Sequence, residues 1–174
     1  MLKKKSVRIS LTIISVFILI LGGGLAYYRL SRIQGTVSPT VINAPLIGET
    51  ETPHVIIYTQ DRAFKNEVIS NITNELTDKD IYLEIQPIEE LSEDTSPWDK
   101  VILFTTIMSS EPPENTLSFI NENKNNEKVA VFLTADSGKW AHQPADVEVL
   151  TAASNKDENI DIFTKGILHF IEEK

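Results

Sequence analysis

The chain of 174 residues contains no cysteine, and its 16 Lys and Arg are outnumbered by 25 Asp and Glu. The absence of cysteine excludes disulfides, iron–sulfur clusters and thiol chemistry. The shortage of positive charge is greatest in residues 54–174, where 10 Lys and Arg and 23 Asp and Glu give a formal charge of −13. We therefore expect neither nucleic acid nor anionic lipid to bind this part of the chain.

Familiar catalytic and metal-binding patterns are also missing. The three histidines, His54, His142 and His169, lie far apart, and no pair has the spacing of metal ligands. The sequence has no Gly-x-Ser-x-Gly elbow, no Walker loop and no dinucleotide fingerprint. These absences predict no metal site and no catalytic residue, and they favour a protein that is not an enzyme.

One long apolar run is present near the N-terminus. Residues 9–28 carry no charge and follow a basic segment, residues 1–8, with three lysines and one arginine. Twenty residues of α-helix reach about 30 Å, the thickness of a bilayer core. The pattern predicts a cytoplasmic segment at 1–8 and a single-pass transmembrane anchor at 9–28 that places the remainder outside the cell membrane.

Two other interpretations of this run stay open. A cleaved signal peptide would have its apolar core at 9–21 and a small-residue cleavage site at 24–26, and it would also export the remainder. A buried core helix is the other alternative. Residues 29–53 are rich in Thr, Ser, Pro and Gly, follow neither a helical nor a strand period, and predict a flexible linker.

Five apolar segments beyond the linker predict a parallel sheet. Segments 55–58, 101–104 and 129–133 are continuously apolar, as in strands that helices cover on both faces. Segments 81–85 and 147–150 are mixed, as in edge strands. In chain order, the five segments are therefore predicted to be central, edge, central, central and edge strands. This is the pattern of a doubly wound sheet of order 2-1-3-4-5.

Amphipathic helices are predicted in the connections between these strands. Phe64, Val68, Ile72 and Leu76 recur every four residues after the first strand. A shorter helix is expected after the prolines at 112–113, and a C-terminal helix after the acidic pair at 157–158. The predicted fold is a three-layer α/β sandwich with a five-stranded parallel sheet, preceded by one transmembrane helix.

Residues 54–172 resemble the flavodoxin family in the order and the local sequence pattern of four segments. Segment 96–103 (SPWDKVIL) is similar to the entry into the family's third strand, and 105–113 (TTIMSSEPP) to its first flavin-side loop. Segment 132–138 (FLTADSG) is similar to the fourth strand and the second such loop, and 151–154 (TAAS) to the approach to the last helix. The resemblance implies a flavodoxin-like fold and FMN as the cofactor to be tested.

Ligands of open α/β sheets bind beyond the carboxyl ends of the strands, where the strand order reverses. The resemblance places the candidate cofactor-binding residues in three loops at that rim. These residues are Thr59, Gln60, Arg62, Thr105, Thr106, Ser109, Ser110, Thr134, Ser137, Gly138 and Trp140. Trp140 is interpreted either as a stacking platform for a flat ring or as a packing residue, and the hydroxyls either as ligands or as ordinary loop caps.

The family's phosphate loop reads Ser/Thr-x-Thr-Gly-x-Thr and holds the FMN phosphate with backbone N–H groups at a helix N-terminus. Here the matching segment, 59–64, reads TQDRAF and keeps only the first hydroxyl. Arg62 stands where glycine permits close approach, and Asp61 is expected to cap the helix with its own carboxylate. The departure predicts that FMN is not bound in the family's usual manner.

Two functions therefore stay open. The preferred one is a non-catalytic module at the outer face of the membrane, held by residues 9–28, that binds an unknown protein or small molecule at the loop rim. The alternative is an FMN-dependent electron carrier with an altered phosphate loop.

Overall fold

The computed structural model describes residues 2–31, 35–49 and 51–173. The chain divides into two compact units, Met1–Ile33 and Gln34–Lys174. In the first unit, helix α1 extends from Leu2 to Ser31. The apolar side chains between Leu11 and Tyr27 that the structure describes are exposed.

The prediction of a transmembrane helix is wrong as a description of this structure. Within the described part of the chain, no helix combines the length and the apolar character that a membrane crossing requires. The predicted anchor at 9–28 is accordingly corrected to part of α1. The placement outside the cytoplasm is a separate matter and stays a prediction.

The second unit is built on one mixed six-stranded sheet. The strands are β1 (Thr40–Ile42), β2 (His54–Thr59), β3 (Tyr82–Pro87), β4 (Lys100–Thr106), β5 (Val129–Thr134) and β6 (Val149–Ala152). Their spatial order is β1-β3-β2-β4-β5-β6. Strands β2 to β6 pair in parallel, and β1 pairs antiparallel with β3.

The predicted five-stranded, all-parallel sheet is therefore wrong, because the segment interpreted as a linker supplies the sixth strand. Thr40, Val41 and Ile42 pair with residues 83–85 of β3, so β3 is covered and is not an edge. Asn43 fixes the end of β1, since its side-chain amide donates to the carbonyls of Leu76, Lys79 and Ile81 at 2.9 to 3.0 Å. A strand of three residues gives no alternation long enough to recognise in the sequence.

Helices cover both faces of the sheet. Helices α2 (Ala63–Leu76) and α4 (Glu158–Glu172) pack on one face, and α3 (Glu114–Asn123) packs on the other. Short 3₁₀ helices follow β1 at Ala44–Leu46 and β3 at Ile88–Glu90. The five parallel strands with helices on both faces form a flavodoxin-like, doubly wound arrangement. The antiparallel strand β1 is an addition to that arrangement.

Two apolar clusters form the core, one on each face. Helices α2 and α4 pack on the odd-numbered residues of β2, such as Ile57, and on the even-numbered residues of β4, such as Phe104. Ile56, Leu103 and their neighbours pack with α3 on the opposite face. Because side chains alternate along a strand, Thr59 and Thr106 continue the rows of the α2/α4 face at the strand ends.

Candidate functional site

The carboxyl ends of β2, β4 and β5 lie side by side and bring several predicted rim residues together. Thr59 is in register with Phe104, and Thr106 is in register with Thr134. The hydroxyls of Thr106 and Thr134 are 2.9 Å apart. This is the end of the sheet at which the order reverses between β2 and β4, the expected position of a ligand.

A lysine that was not among the predicted site residues occupies the centre of this cluster. Lys65 lies in the first turn of α2, and only 2% of its surface is exposed. Its ammonium donates to the Thr106 hydroxyl and to the Thr134 hydroxyl, the latter at 3.3 Å. It also lies 5.7 Å from the centroid of the Phe104 ring. Among the described residues, no carboxylate forms an ion pair or hydrogen bond with it.

Burial determines the titration of this lysine. Desolvation, and secondarily the positive charge of Arg62, lowers the pKa of the Lys65 ammonium from 10.5 to about 7. A buried cation without a counter-ion is unfavourable, because two hydroxyls replace only part of its hydration. The cluster therefore holds an amine that changes its charge near neutral pH.

Gln60 links β2 to the end of β4. Its side-chain carbonyl accepts hydrogen bonds from the Thr105 hydroxyl at 3.0 Å and from the Thr106 backbone N–H at 3.1 Å. Gln60 is 4% exposed, so this bond pair is shielded from water. Thr59 is also buried, and its hydroxyl has no hydrogen-bond partner among the described residues.

The loop between β2 and α2 differs from the expected cap. The N-cap residue of α2 is Arg62, without a side-chain cap bond, and not Asp61 as predicted. Asp61 instead pairs with Gly35 through two backbone hydrogen bonds, and its carboxylate accepts from the Asn66 amide at 2.7 Å. A Cβ at position 35 would lie 2.9 Å from the Asp61 Cβ, so this close approach requires glycine.

Trp140 is a buried packing residue in this structure, which is one of its two sequence interpretations. It is 5% exposed and belongs to the core cluster on the α3 face. Its indole N–H donates to a carboxylate oxygen of Glu111 at 2.8 Å, and the other Glu111 oxygen lies 2.7 Å from His142 Nδ1. Glu111 thus joins the loop after β4 to the loop after β5.

The remaining rim residues lie in exposed turns. Ser109 and Ser110 both have positive φ and form the two-residue tip between Met108 and Glu111, which pair as an antiparallel bridge. Ser137 donates to the carbonyl of Lys139 at 3.2 Å, and Gly138 has a φ of 70°. These residues therefore shape their turns and do not join the buried cluster.

Sequence reasoning missed Lys65 and Glu111 as organising residues. The buried face of α2 consists of Lys65, Val68, Ile72 and Leu76, whose spacing fits a 3.6-residue period better than the predicted face that began at Phe64. That period was the available signal for Lys65. Among the described residues, no group of three His, Asp or Glu side chains is arranged to hold a metal ion.

Solved structures that are similar to this chain include a flavodoxin. No family model matches the chain, and no curated protein matches it. The chain is similar to the crystal structure of oxidised Flavodoxin 2 from Bacillus cereus, with 17% sequence identity and a TM-score of 0.49. The similarity covers 71% of this chain and 100% of that chain.

Proposed function

We propose that the unit Gln34–Lys174 is a non-catalytic, flavodoxin-like binding module that does not carry FMN. The observation that carries the proposal is the internal bonding of the strand-end hydroxyls. Thr106 and Thr134 are bonded to Lys65, and Thr105 is bonded to Gln60. A ligand at this rim would have to replace these three bonds, two of which are buried, before it gained its own.

The loop geometry supports the same proposal. A phosphate at the N-terminus of α2 needs backbone N–H groups that approach it closely, and the loop has no glycine there. The Asp61 carboxylate lies next to the first turn and would repel a phosphate. Trp140 is held by Glu111 in the core, so it offers no free ring face to a flavin.

One observation favours the alternative, an FMN-dependent electron carrier. Lys65 is a cation in the first turn of α2, and it has no carboxylate partner among the described residues. A lysine near a helix N-terminus is suited to a phosphate. The Lys65 residue is 2% exposed and its ammonium is bonded to two threonines of the sheet, which favours an internal role.

The test is titration of the full chain with FMN, followed by flavin absorbance and fluorescence. The proposal predicts no submicromolar binding by the wild type. It predicts a gain of binding in Asp61→Thr with Arg62→Gly, because this pair restores a hydroxyl and the glycine. Lys65→Met separates the two functions, with Lys139→Met as a matched control. Submicromolar binding by the wild type that Lys65→Met abolishes and Lys139→Met leaves intact would contradict the proposal and favour the alternative.

A further inference from the structure

A groove of about 870 Å³ lies at the end of the sheet opposite the hydroxyl cluster. It is bounded by the amino ends of β4 and β5, by the turn at 123–128 and by the last turn of α4. Its volume is near the upper end of the range for ligand pockets. No residue of the loop rim lines it, so it is separate from the position where a flavin would be expected.

The floor of the groove is apolar and lies where α4 approaches the sheet closely at Gly166. A Cβ at this position would lie 3.1 Å from a ring carbon of Phe132 and 3.2 Å from a methyl carbon of Leu150. Glycine therefore allows the helix to pack directly on β5 and β6. Phe170, four residues further along α4, then contributes a half-buried ring to the lining.

Two lysines lie on one side of the groove. Lys100 and Lys128 precede the register pair Val101 and Val129, so they are neighbours at the amino ends of β4 and β5. The Lys100 ammonium lies 4.4 Å from the centroid of the Phe170 ring, and the Lys128 ammonium donates to the Trp98 carbonyl at 3.1 Å. Within the described ranges, neither forms an ion pair with a carboxylate, in a domain that carries an excess of acidic residues.

The other charges of the groove limit what can bind. Lys124 pairs with Asp146 and is therefore already neutralised. The exposed residues Glu127, Glu148 and Glu173 also line the groove and would repel a polyanion. Lys100 and Lys128, beside the apolar ring of Phe170, are therefore complementary to a single carboxylate next to an apolar group, whereas the glutamates disfavour a phosphate chain or a nucleic acid.

The turn that forms the wall is ordered by its own side chains. The Asn126 amide donates to the Asn123 side chain at 3.1 Å, and its carbonyl accepts from the Lys128 backbone N–H at 3.1 Å. Asn123 in turn donates to the Phe119 carbonyl at 3.1 Å. A preformed wall lowers the entropy that binding must overcome.

We propose that this groove binds a short peptide segment of a partner protein, with one carboxylate against Lys100 and Lys128 and an adjacent apolar side chain on the Phe170 floor. The proposal rests on the proposed function, since it names the partner surface of the binding module. A peptide fits better than a compact small molecule, because the groove is large, is open to solvent on one side, and has the polar turn at 123–128 as one wall.

The test measures fluorescence anisotropy of a labelled peptide, Gly-Leu-Phe-Glu-Gly-amide, with the full chain. The control peptide carries Gln in place of Glu. We expect the Gln peptide to bind about tenfold more weakly, because it loses the charge interaction. Lys100→Gln with Lys128→Gln should cause a similar loss for the Glu peptide. The matched pair Lys139→Gln with Lys156→Gln changes the net charge equally, lies outside the groove, and should change affinity by less than about twofold.

Any of three results would overturn the proposal. The wild type does not bind the Glu peptide, it binds the Glu and Gln peptides with equal affinity, or the two double-lysine variants lose equal affinity for the Glu peptide. Competition by free phenylacetate at the same affinity as the peptide would overturn the peptide as the occupant. FMN titration of the same preparations separates the two proposals. If the wild type binds both FMN and the Glu peptide, only the proposed function is contradicted. If it binds neither FMN nor the Glu peptide, only the proposal for the groove is contradicted.

Discussion

Lys65 Nζ lies 3.3 Å from the Thr134 hydroxyl, although Lys65 lies in the first turn of α2 and Thr134 is the last residue of β5. The bond crosses the end of the sheet where a doubly wound protein has room for a ligand. Together with the bond to Thr106, it joins α2 to two strands through one buried amine. The stability of the domain should therefore depend on the charge of this amine.

We expect the free energy of unfolding to rise with pH above neutrality. Below pH 7 the Lys65 amine is charged in both states, so the penalty for burying the charge is fully present. From about pH 7 to 10.5 the unfolded chain binds a proton that the folded chain does not, and the penalty is relieved. Between pH 7 and 9 the gain should be about 2–3 kcal/mol, since one pKa unit corresponds to about 1.36 kcal/mol.

The measurement is urea unfolding at several pH values up to 9, below the range in which Tyr58 and Tyr82 titrate, because their pKa values are raised above 10. Lys65→Met keeps the length of the side chain and removes the charge, so its unfolding free energy should lose this pH dependence and exceed that of the wild type at pH 6. Lys139→Met is the exposed control. A wild type and a Lys65→Met variant with the same pH dependence would contradict the assignment.

Glu111→Ala should destabilise the domain by about 1–3 kcal/mol, because it leaves the buried indole N–H of Trp140 without its acceptor. The same variant should expose Trp140 further and shift its fluorescence to longer wavelength. Glu122→Ala removes an exposed carboxylate from α3 and is the control. Urea unfolding and emission spectra measure both effects. Equal stability of the two variants would show that the Glu111 bond contributes nothing.

Ser110→Gly should stabilise the domain by about 1 kcal/mol, because Ser110 has a φ of 82° and L-residues are strained there. The same substitution at Ser154, which is not among the residues with positive φ, should destabilise by about 0.5–1 kcal/mol. Thermal unfolding measures the stability of both variants. We expect the same Ser→Gly substitution to raise stability at position 110 and to lower it at position 154. A loss of stability in both variants would refute the strain at the Ser109-Ser110 tip.

The sequence predicted elements whose period is long and regular. The strands at 55–58, 101–104 and 129–133 were recognised because both of their faces are buried, and their structural counterparts, β2, β4 and β5, lie in the interior of the sheet. Strand β1 was missed because three residues carry no period. The tertiary contacts on either side of it, Asn43 with Leu76 and Gly35 with Asp61, are not encoded by any local pattern.

The site was only partly predictable for a similar reason. Topology brought Thr59, Thr106 and Thr134 together at one end of the sheet, as expected from parallel strands. The Thr106 and Thr134 hydroxyls contact Lys65, whose burial is decided by tertiary packing against Phe104. A lysine in an amphipathic helix is usually on the solvated face, so composition argued against the position that it takes.

The most direct test of the central claim is the absorbance spectrum of the purified full chain after incubation with excess FMN and removal of unbound flavin by gel filtration. The claim is that the strand-end site is closed by its own side chains, so we expect a colourless protein without flavin absorbance. The variant Asp61→Thr with Arg62→Gly, treated in parallel, shows whether a restored loop retains flavin. A yellow wild-type protein with about one FMN per chain would contradict the claim.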